Sequence, residues 1–160
     1  MPYIIDGHNL LHSIQKIGEG SEQISDVGLC RIINEYLKLT GEKGEIIFDG
    51  TGPRDKSLFE NISNLEVFFA GLSTDADTVI EDKIKANTAP RRLMIVSSDR
   101  RVQSAARARR ATVVKALIFW NDLCKRLSRR KKKAKEPKEK HEGLTESETE
   151  QWLKIFGLEQ

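Results

Sequence analysis

Short apolar runs that end directly in aspartate are the feature of this sequence that most restricts its fold. Residues 3–5 (Tyr-Ile-Ile) are followed by Asp6, and residues 46–48 (Ile-Ile-Phe) are followed by Asp49. A third run, at residues 93–96, ends in Ser-Ser-Asp. A short run of β-prone residues that stops at a turn signal is typical of a buried strand. The sequence therefore predicts several strands that carry acidic side chains at their carboxyl ends.

Helical patterns separate most of these strands. Apolar side chains in residues 26–39 follow the spacing of one buried helix face, with Asp26 as the expected N-cap and Gly41 as the end. Asp75 is expected to cap a later helix. The other expected elements are strands at 65–69 and 112–114 and helices at 73–87, 100–110 and 117–127. This alternation predicts an α/β fold with a central parallel sheet of about five strands and helices on both faces.

Charge divides the chain into unequal parts. Residues 125–140 contain ten Lys or Arg and two Glu, so this segment carries +8 and leaves −5 for the remainder of a net charge of +3. We expect a globular domain over residues 1–124 and a basic linker over 125–143. Residues 144–160 begin with a capping-box pattern and carry apolar side chains, which predicts a C-terminal helix that docks on the domain or on a partner.

Composition argues against a membrane protein and against a disulfide or zinc framework. No stretch approaches the roughly 18 apolar residues that a bilayer span requires, and the N-terminus lacks a signal pattern. Cys30 and Cys124 have no nearby Cys or His partner, so two buried free thiols are expected. Free thiols suit a reducing compartment, and the sequence predicts a cytoplasmic protein with no membrane partner.

Carboxylates are the candidate catalytic groups. Because parallel strands end at one edge of a sheet, Asp6, Asp49 and Asp99 are expected to meet there. Asp77 and Glu81 lie four residues apart on one predicted helix and so share a face. Clustered carboxylates repel one another, and Mg²⁺ or Mn²⁺ offsets that repulsion with a preference for oxygen ligands. The sequence thus predicts a divalent-cation site at this edge.

The motifs at these positions resemble those of the YacP-like NYN domains, which are PIN-like nucleases. The matching motifs occur in the order and spacing of that family over roughly residues 2–120: Asp-Gly-His-Asn at 6–9, Phe-Asp-Gly at 48–50, Ala-Asp-Thr-Val-Ile-Glu at 76–81 and Ser-Ser-Asp-Arg at 97–100. The family commonly has Tyr where this chain has His8, and often Gly where it has Arg110.

This resemblance implies metal-dependent endonucleolytic cleavage of RNA on a Rossmann-like sheet. By position, Asp6, Asp77 and Asp99 would bind one or two Mg²⁺ or Mn²⁺ ions. Asn9 and Ser98 would support the scissile phosphate or the ligands. Two further carboxylates are candidates for a fourth ligand or for orienting the others: Asp49 and Glu81. A metal-activated water as nucleophile would leave 5′-phosphate and 3′-hydroxyl ends.

Several basic residues are candidates for RNA contacts. Arg100 and Arg101 follow Asp99 directly, so they would either clamp phosphates or pair with the nearby acids. A long loop carries two more candidates, Arg54 and Lys56. The basic segment would add sequence-independent affinity for RNA or for a ribonucleoprotein such as the ribosome, through Arg129, Arg130, Lys131, Lys132 and Lys133.

Other enzyme classes lack a residue that they require. A nucleotide cofactor would need a Gly-rich turn after the first strand, which is absent. A haloacid-dehalogenase-type phosphatase would need Asp at the position of His8, and a toprim-like domain would need Glu after its first strand. The remaining rival is a non-catalytic RNA-binding or ribosome-binding module on a nuclease-derived fold. The sequence leaves the oligomeric state open.

Overall fold

A computed structural model describes residues 2–17, 24–60 and 62–135, with side chains as far as residue 130. The strands are β1 (Tyr3–Asp6), β2 (Gly44–Phe48), β3 (Leu65–Phe69), β4 (Met94–Val96) and β5 (Thr112–Val114). The helices are α1 (Gly7–Ile17), α2 (Asp26–Thr40), α3 (Ala76–Ala86), α4 (Arg100–Ala108) and α5 (Ala116–Lys135). The strands pair in parallel in the order β3-β2-β1-β4-β5, which confirms the predicted α/β sheet.

The sheet buries side chains on both of its faces. In the central strand β1, Tyr3 and Ile5 pack with α1, α2 and α5 on one face, whereas Ile4 packs with α3 and α4 on the other. Gly7 begins α1 against the ring of Phe48, where an added Cβ atom would lie only 2.5 Å from a ring carbon. A glycine at this position therefore lets the first helix start directly at the end of β1.

The strand order places a crevice beside β1. From β1 the chain moves outward to β2 and β3, then returns to β4 on the opposite side of β1. The connections that leave β1 and β4 consequently diverge, and in open parallel sheets this arrangement opens a binding crevice beyond the carboxyl ends of the two strands. Asp6 ends β1 at that crevice, and residues 97–99 follow β4 there.

Two helix caps can be compared with the sequence prediction. The cap of α2 is Ser25, whose side chain accepts a hydrogen bond from the Gly28 N–H, so the assignment of Asp26 as N-cap was wrong by one residue. A hydroxyl satisfies a free helix N–H as well as a carboxylate does, and either residue could have done so. Asp75 caps α3 as expected, by accepting from the Thr78 N–H.

The last helix is longer than the sequence predicted. α5 runs to Lys135, so the first part of the basic segment is helical and not an irregular linker. Leu127 and Ser128 are buried, and Arg130 forms an ion pair with Glu35 of α2 at 3.3 Å. The apolar stripe of the helix continues past residue 124, and Lys and Arg are themselves good helix formers. Residues 136–160, with the predicted C-terminal helix, lie outside the described residues.

Two expectations drawn from composition can also be compared with the structure. Cys30 and Cys124 are both buried free thiols, as predicted. No helix within the described ranges combines the length and the apolar character that crossing a bilayer requires.

Candidate active site

An open cleft of about 720 Å³ lies at the carboxyl edge of the sheet, and acidic side chains line it. We call it the carboxylate cleft. Among the described residues, five acids from separate parts of the chain line it, of which Asp26 was not predicted from the sequence to lie there: Asp6, Asp26, Asp49, Asp77 and Asp99. Asn9, His8 and His12 of α1 line the same cleft. The structure therefore brings together, in one place, the acids that the sequence predicted to meet.

Asp6 is the buried member of this group, with 4% of its surface exposed. Its Oδ2 accepts a hydrogen bond from the Ser97 hydroxyl at 3.1 Å, and its Oδ1 accepts from the Asn9 N–H at 3.4 Å. Burial, followed by the charge of Asp77, raises the pKa of Asp6 from 3.8 to about 6. An ionised Asp6 is thus held at a cost, which a nearby cation would offset.

Asp77 and Asp99 keep carboxylate oxygens available toward the cleft. Asp77 lies in the first turn of α3 and accepts no hydrogen bond from the described residues; burial and then the charge of Asp99 raise its pKa. Asp99 caps α4 with Oδ1, which accepts from the N–H groups of Arg101 (2.9 Å) and Val102 (3.3 Å). Its Oδ2 has no hydrogen-bond donor among the described residues.

This donor set fits a hard divalent cation. Within the described ranges, no three His, Cys, Asp or Glu side chains lie close enough to hold one metal ion as they stand. Mg²⁺ does not require such a cage, because proteins usually bind it through one or two carboxylates while it keeps several waters. The oxygens of Asp77 and Asp99 that accept no hydrogen bond, together with the raised pKa values of Asp6 and Asp77, match that mode of binding.

Ser97 is a site residue that the sequence did not single out. Its buried hydroxyl donates to Asp6 and accepts from the Asp99 N–H at 3.0 Å, so one side chain links two of the acids. Gln103 of α4 holds the Ser97 carbonyl at 2.9 Å. The position of Ser97, directly after the apolar run of β4 and two residues before Asp99, is a signal for such a role. The family resemblance instead pointed to the neighbouring Ser98.

Ser98 and Asn9 join backbone segments around the cleft. The Asn9 side chain, which lines the cleft, accepts from the Ser98 N–H at 2.8 Å and so holds the turn after β4 against α1. The Ser98 hydroxyl accepts from the Ala116 N–H at 3.1 Å, at the first residue of α5. Ser98 is not among the cleft-lining residues, and its hydroxyl instead fixes the start of a helix.

Asp49 connects the cleft to the start of α3. Its Oδ1 accepts from the Ala76 N–H at 2.7 Å, directly beside Asp77. The Asp49 N–H donates to Nδ1 of His8 at 2.8 Å, so the end of β2 is also held against α1. Asp49 therefore orients the helix that presents Asp77.

Glu81 is engaged outside the cleft. Both of its oxygens accept from the Arg101 guanidinium, at 3.1 and 2.9 Å, and Arg101 also contacts Thr78 and Asp75. Of the two alternatives for Arg101, pairing with acids is the one that the structure shows. Arg100 is exposed and forms no ion pair with any described residue.

None of the remaining basic candidates among the described residues lines the carboxylate cleft. Arg54 and Lys56 are on the exposed loop after β2, where Lys56 Nζ donates to the Pro53 carbonyl at 2.9 Å. α5 begins beside Ser98 and runs away from the cleft, so the exposed Arg129 is about 20 Å along the helix from its start. The side chains of residues 131–133 are outside the described part of the chain.

Comparison with known proteins gives two kinds of match. The family model for the YacP-like NYN domain matches residues 3–156. Two crystal structures of Rae1 (YacP) from Bacillus subtilis are similar in fold at 21% identity. One, of a mutant, has a TM-score of 0.64 over 98% of this chain and 92% of that chain. The other has a TM-score of 0.65 over 83% of this chain and 80% of that chain. No curated protein sequence matches the chain.

Proposed function

Since this chain belongs to the YacP-like NYN domain family, a family of PIN-like nuclease domains, we propose that it is an endoribonuclease that depends on Mg²⁺ or Mn²⁺. The observation that carries the proposal is the carboxylate cleft. Asp77 and Asp99 keep carboxylate oxygens there that accept no hydrogen bond from the described residues, and burial together with a neighbouring carboxylate raises the pKa values of Asp6 and Asp77. A protein that gathers such charges at one edge gains most from a cation bound between them.

Asp6, Asp77 and Asp99 would hold the metal, as one or two ions. When bound, the metal supplies a water of lowered pKa and neutralises charge on the reacting phosphate. The protein's own groups keep the ligands in place. Ser97 joins Asp6 to Asp99, and Asp49 holds the start of α3 so that Asp77 faces the cleft.

Substrate positioning would use the side chains at the rim. Asn9 lines the cleft and presents its amide beside the acids. Arg100 is exposed one residue after Asp99, where it can bind a phosphate neighbouring the scissile one. Attack by water, and not by the RNA 2′-hydroxyl, leaves 5′-phosphate and 3′-hydroxyl ends. The substrate would be mRNA or ribosome-associated RNA in the cytoplasm, an environment that suits the two buried free thiols.

Cleavage of end-labelled single-stranded RNA tests this function. The full chain is compared with Asp6→Asn/Asp99→Asn, each with Mn²⁺ and with EDTA, and the product ends are identified. We expect cleavage with Mn²⁺ by the unsubstituted chain alone, with 5′-phosphate ends. Cyclic 2′,3′-phosphate ends would contradict the metal-water mechanism. RNA binding without cleavage by either protein would favour a non-catalytic RNA-binding module.

A further inference from the structure

A strongly basic stretch of chain lies on the side of the sheet that carries α3 and α4. Residues 83–98 contain four Lys or Arg and no Asp or Glu, and residues 100–115 contain six and none. Asp99, between the two stretches, belongs to the carboxylate cleft. Lys83 pairs with Glu45 and Arg101 pairs with Glu81, and none of the other eight basic residues of these stretches forms an ion pair with a described acid.

The amino edge of the sheet brings two basic segments side by side. A 3₁₀ turn, Pro90–Arg92, leads into β4, and Arg110 comes two residues before β5. β4 and β5 pair in parallel, and the Thr112 N–H donates to the Leu93 carbonyl at 2.9 Å. The arginines that precede the two neighbouring strands consequently lie at the same edge.

The ends of α3 and α4 meet at this edge as well. The guanidinium of Arg109 donates to the carbonyls of Lys85 and Asn87, at 3.3 and 3.0 Å, which fixes the last turn of α4 against the end of α3. We call the resulting surface the basic pole. It consists of six exposed side chains: Lys85, Arg91, Arg92, Arg107, Arg109 and Arg110. None of them forms an ion pair with a carboxylate among the described residues.

Arg110 occupies a backbone conformation that normally favours glycine. Its φ is 65°, and no other described residue except glycine has a positive φ. α2 ends in the same pattern of backbone hydrogen bonds with Gly41 at the equivalent position, where φ is 74°. An arginine there is locally unfavourable. Residues that break a local rule in this way are expected where the side chain has a function.

Exposed arginines on α4 connect the cleft to the basic pole. Arg101 and Arg109 turn toward α3, as their contacts show. Arg100 and Arg107 are seven residues apart and both exposed, so they lie on another stripe of the helix, about 10 Å apart along its axis. Both side chains can therefore contact phosphates of one nucleic-acid strand. Arg100 stands next to Asp99 and is the cleft end of this stripe.

We propose that this stripe and the basic pole bind the sugar-phosphate backbone of an RNA strand that extends out of the carboxylate cleft. The inference deepens the proposed function and rests on it for the role of the cleft. Guanidinium groups bind phosphates through two parallel hydrogen bonds, which suits a surface so rich in arginine. The large exposed apolar side chains all lie outside residues 83–115, so the surface lacks the apolar centre of a protein-binding site.

Protection of an edge strand explains only part of this charge. Basic residues beside an edge strand discourage pairing between molecules. Arg110 and Lys115 flank β5, the edge strand, and could serve that purpose. Arg91 lies before an internal strand, and Arg107 lies on a helix, so neither protects an edge.

Binding of a single-stranded RNA of about fifteen nucleotides, long enough to reach from the cleft past Arg107, tests the proposal. Affinity is measured in EDTA at several salt concentrations for the full chain and for Arg92→Gln/Arg107→Gln. The control Lys16→Gln/Arg31→Gln removes two exposed charges from helices on the opposite face of the sheet. We expect the first variant to bind about twentyfold more weakly at 0.1 M salt, with a salt slope smaller by about 1.4.

The control should bind as the unsubstituted chain does. Equal weakening by the control, or unchanged binding by Arg92→Gln/Arg107→Gln, would overturn the proposal. Because EDTA prevents metal-dependent cleavage, the result does not depend on the proposed reaction. If the unsubstituted chain binds RNA without cleaving it, and Arg92→Gln/Arg107→Gln loses binding, the proposed nuclease activity is contradicted and the proposed RNA-binding surface is not.

A single substitution at Arg110 separates binding from stability. Arg110→Gly removes the charge and relieves the backbone, so we expect RNA affinity to fall about fivefold at 0.1 M salt while the melting temperature stays equal or rises. A lower affinity that appears only with a lower melting temperature would overturn a binding role for Arg110.

Discussion

The two edges of the sheet differ in charge and in how firmly their side chains are held. At the carboxyl edge, acids from β1, α3 and α4 line one cleft, and Ser97 joins two of them. At the amino edge, the arginines are exposed and none pairs with a described acid. The first arrangement is preorganised for a compact cation, whereas the second suits an extended polyanion whose phosphates are spread along a chain.

Helix geometry accounts for part of this difference. In a parallel sheet the connecting helices begin at the carboxyl edge and end at the amino edge, so their dipoles favour acids at the first and bases at the second. α3 follows this rule, with Asp77 in its first turn and Lys83 and Lys85 in its last. The rule does not explain why the pKa of Asp77 is raised, since a helix N-terminus stabilises the ionised form. The helix dipoles do not account for so many carboxylates close together, and this excess of acids indicates a binding site in the cleft.

The largest expected change in the free energy of unfolding concerns Asp6, the buried acid of the carboxyl edge. Its folded-state pKa of about 6 lies above its usual 3.8, so protonation favours the metal-free fold. The contribution of Asp6 to stability is therefore greatest below about pH 4 and is lost as the pH rises through about 6. In EDTA at pH 7, Asp6→Asn should be more stable than the unsubstituted chain by up to about 3 kcal/mol.

Urea unfolding at pH 4 and pH 7 measures this difference. The gain in the free energy of unfolding should disappear near pH 4, and Mn²⁺ should stabilise the unsubstituted chain but not the variant. If Asp6→Asn is less stable than the unsubstituted chain at pH 7, the ionised Asp6 does not destabilise the metal-free cleft.

Loss of the Ser97 hydroxyl, which hydrogen-bonds to Asp6 and to the Asp99 N–H, should weaken metal binding. Ser97→Ala frees Asp6 and the Asp99 N–H from a common partner, so we expect the Mn²⁺ concentration for half-maximal cleavage to rise roughly 10- to 100-fold. Ser104→Ala, an exposed serine on α4, is the matched control. If both variants require the same Mn²⁺ concentration, Ser97 does not organise the ligands.

The adjacent residues Arg100 and Arg101 should differ in role, the first in RNA binding and the second in the stability of the fold. Arg101 is half exposed in its pair with Glu81, so Arg101→Gln should lower stability only slightly and leave RNA affinity nearly unchanged. Arg100→Gln should leave stability unchanged and weaken RNA binding about fivefold at 0.1 M salt. Thermal unfolding and RNA titration of the two variants measure both effects, and the reverse pattern would exchange the roles assigned to these residues.

The sequence predicted the fold better than it predicted the details of the site. Strand β3 has the predicted bounds, because its short apolar run lies between the turn signals of residues 63–64 and Gly71. Strand β5 also has the predicted bounds, although its flanking residues carry no such signal. The end of α5 was missed, since ten basic residues in sixteen suggested a linker, while the buried Leu127 continues the apolar face of the helix. The end of such a helix depends on its packing against helices that are distant in sequence, and a local sequence pattern does not show that packing.

The site shows the same division. Strand ends and helix spacing were sufficient to bring Asp6, Asp77 and Asp99 to one edge. They did not show that Glu81 would turn to Arg101, because four-residue spacing fixes a helix face and not a partner. The family resemblance pointed to Ser98 and not to Ser97, because a motif does not show which hydroxyl points into the core after the strand ends.

The most direct test of a metal-dependent nuclease centre in the carboxylate cleft compares two acids on one helix. Asp77 lies in the cleft, and Asp82, five residues later on α3, is exposed outside it. Single-turnover cleavage of RNA with Mn²⁺ is measured for Asp77→Asn and Asp82→Asn. We expect a loss of about a thousandfold for Asp77→Asn, the scale on which a preorganised charge-stabilising group acts, and a normal rate for Asp82→Asn. Equal rates for the two variants would show that the carboxylate cleft is not the nuclease centre.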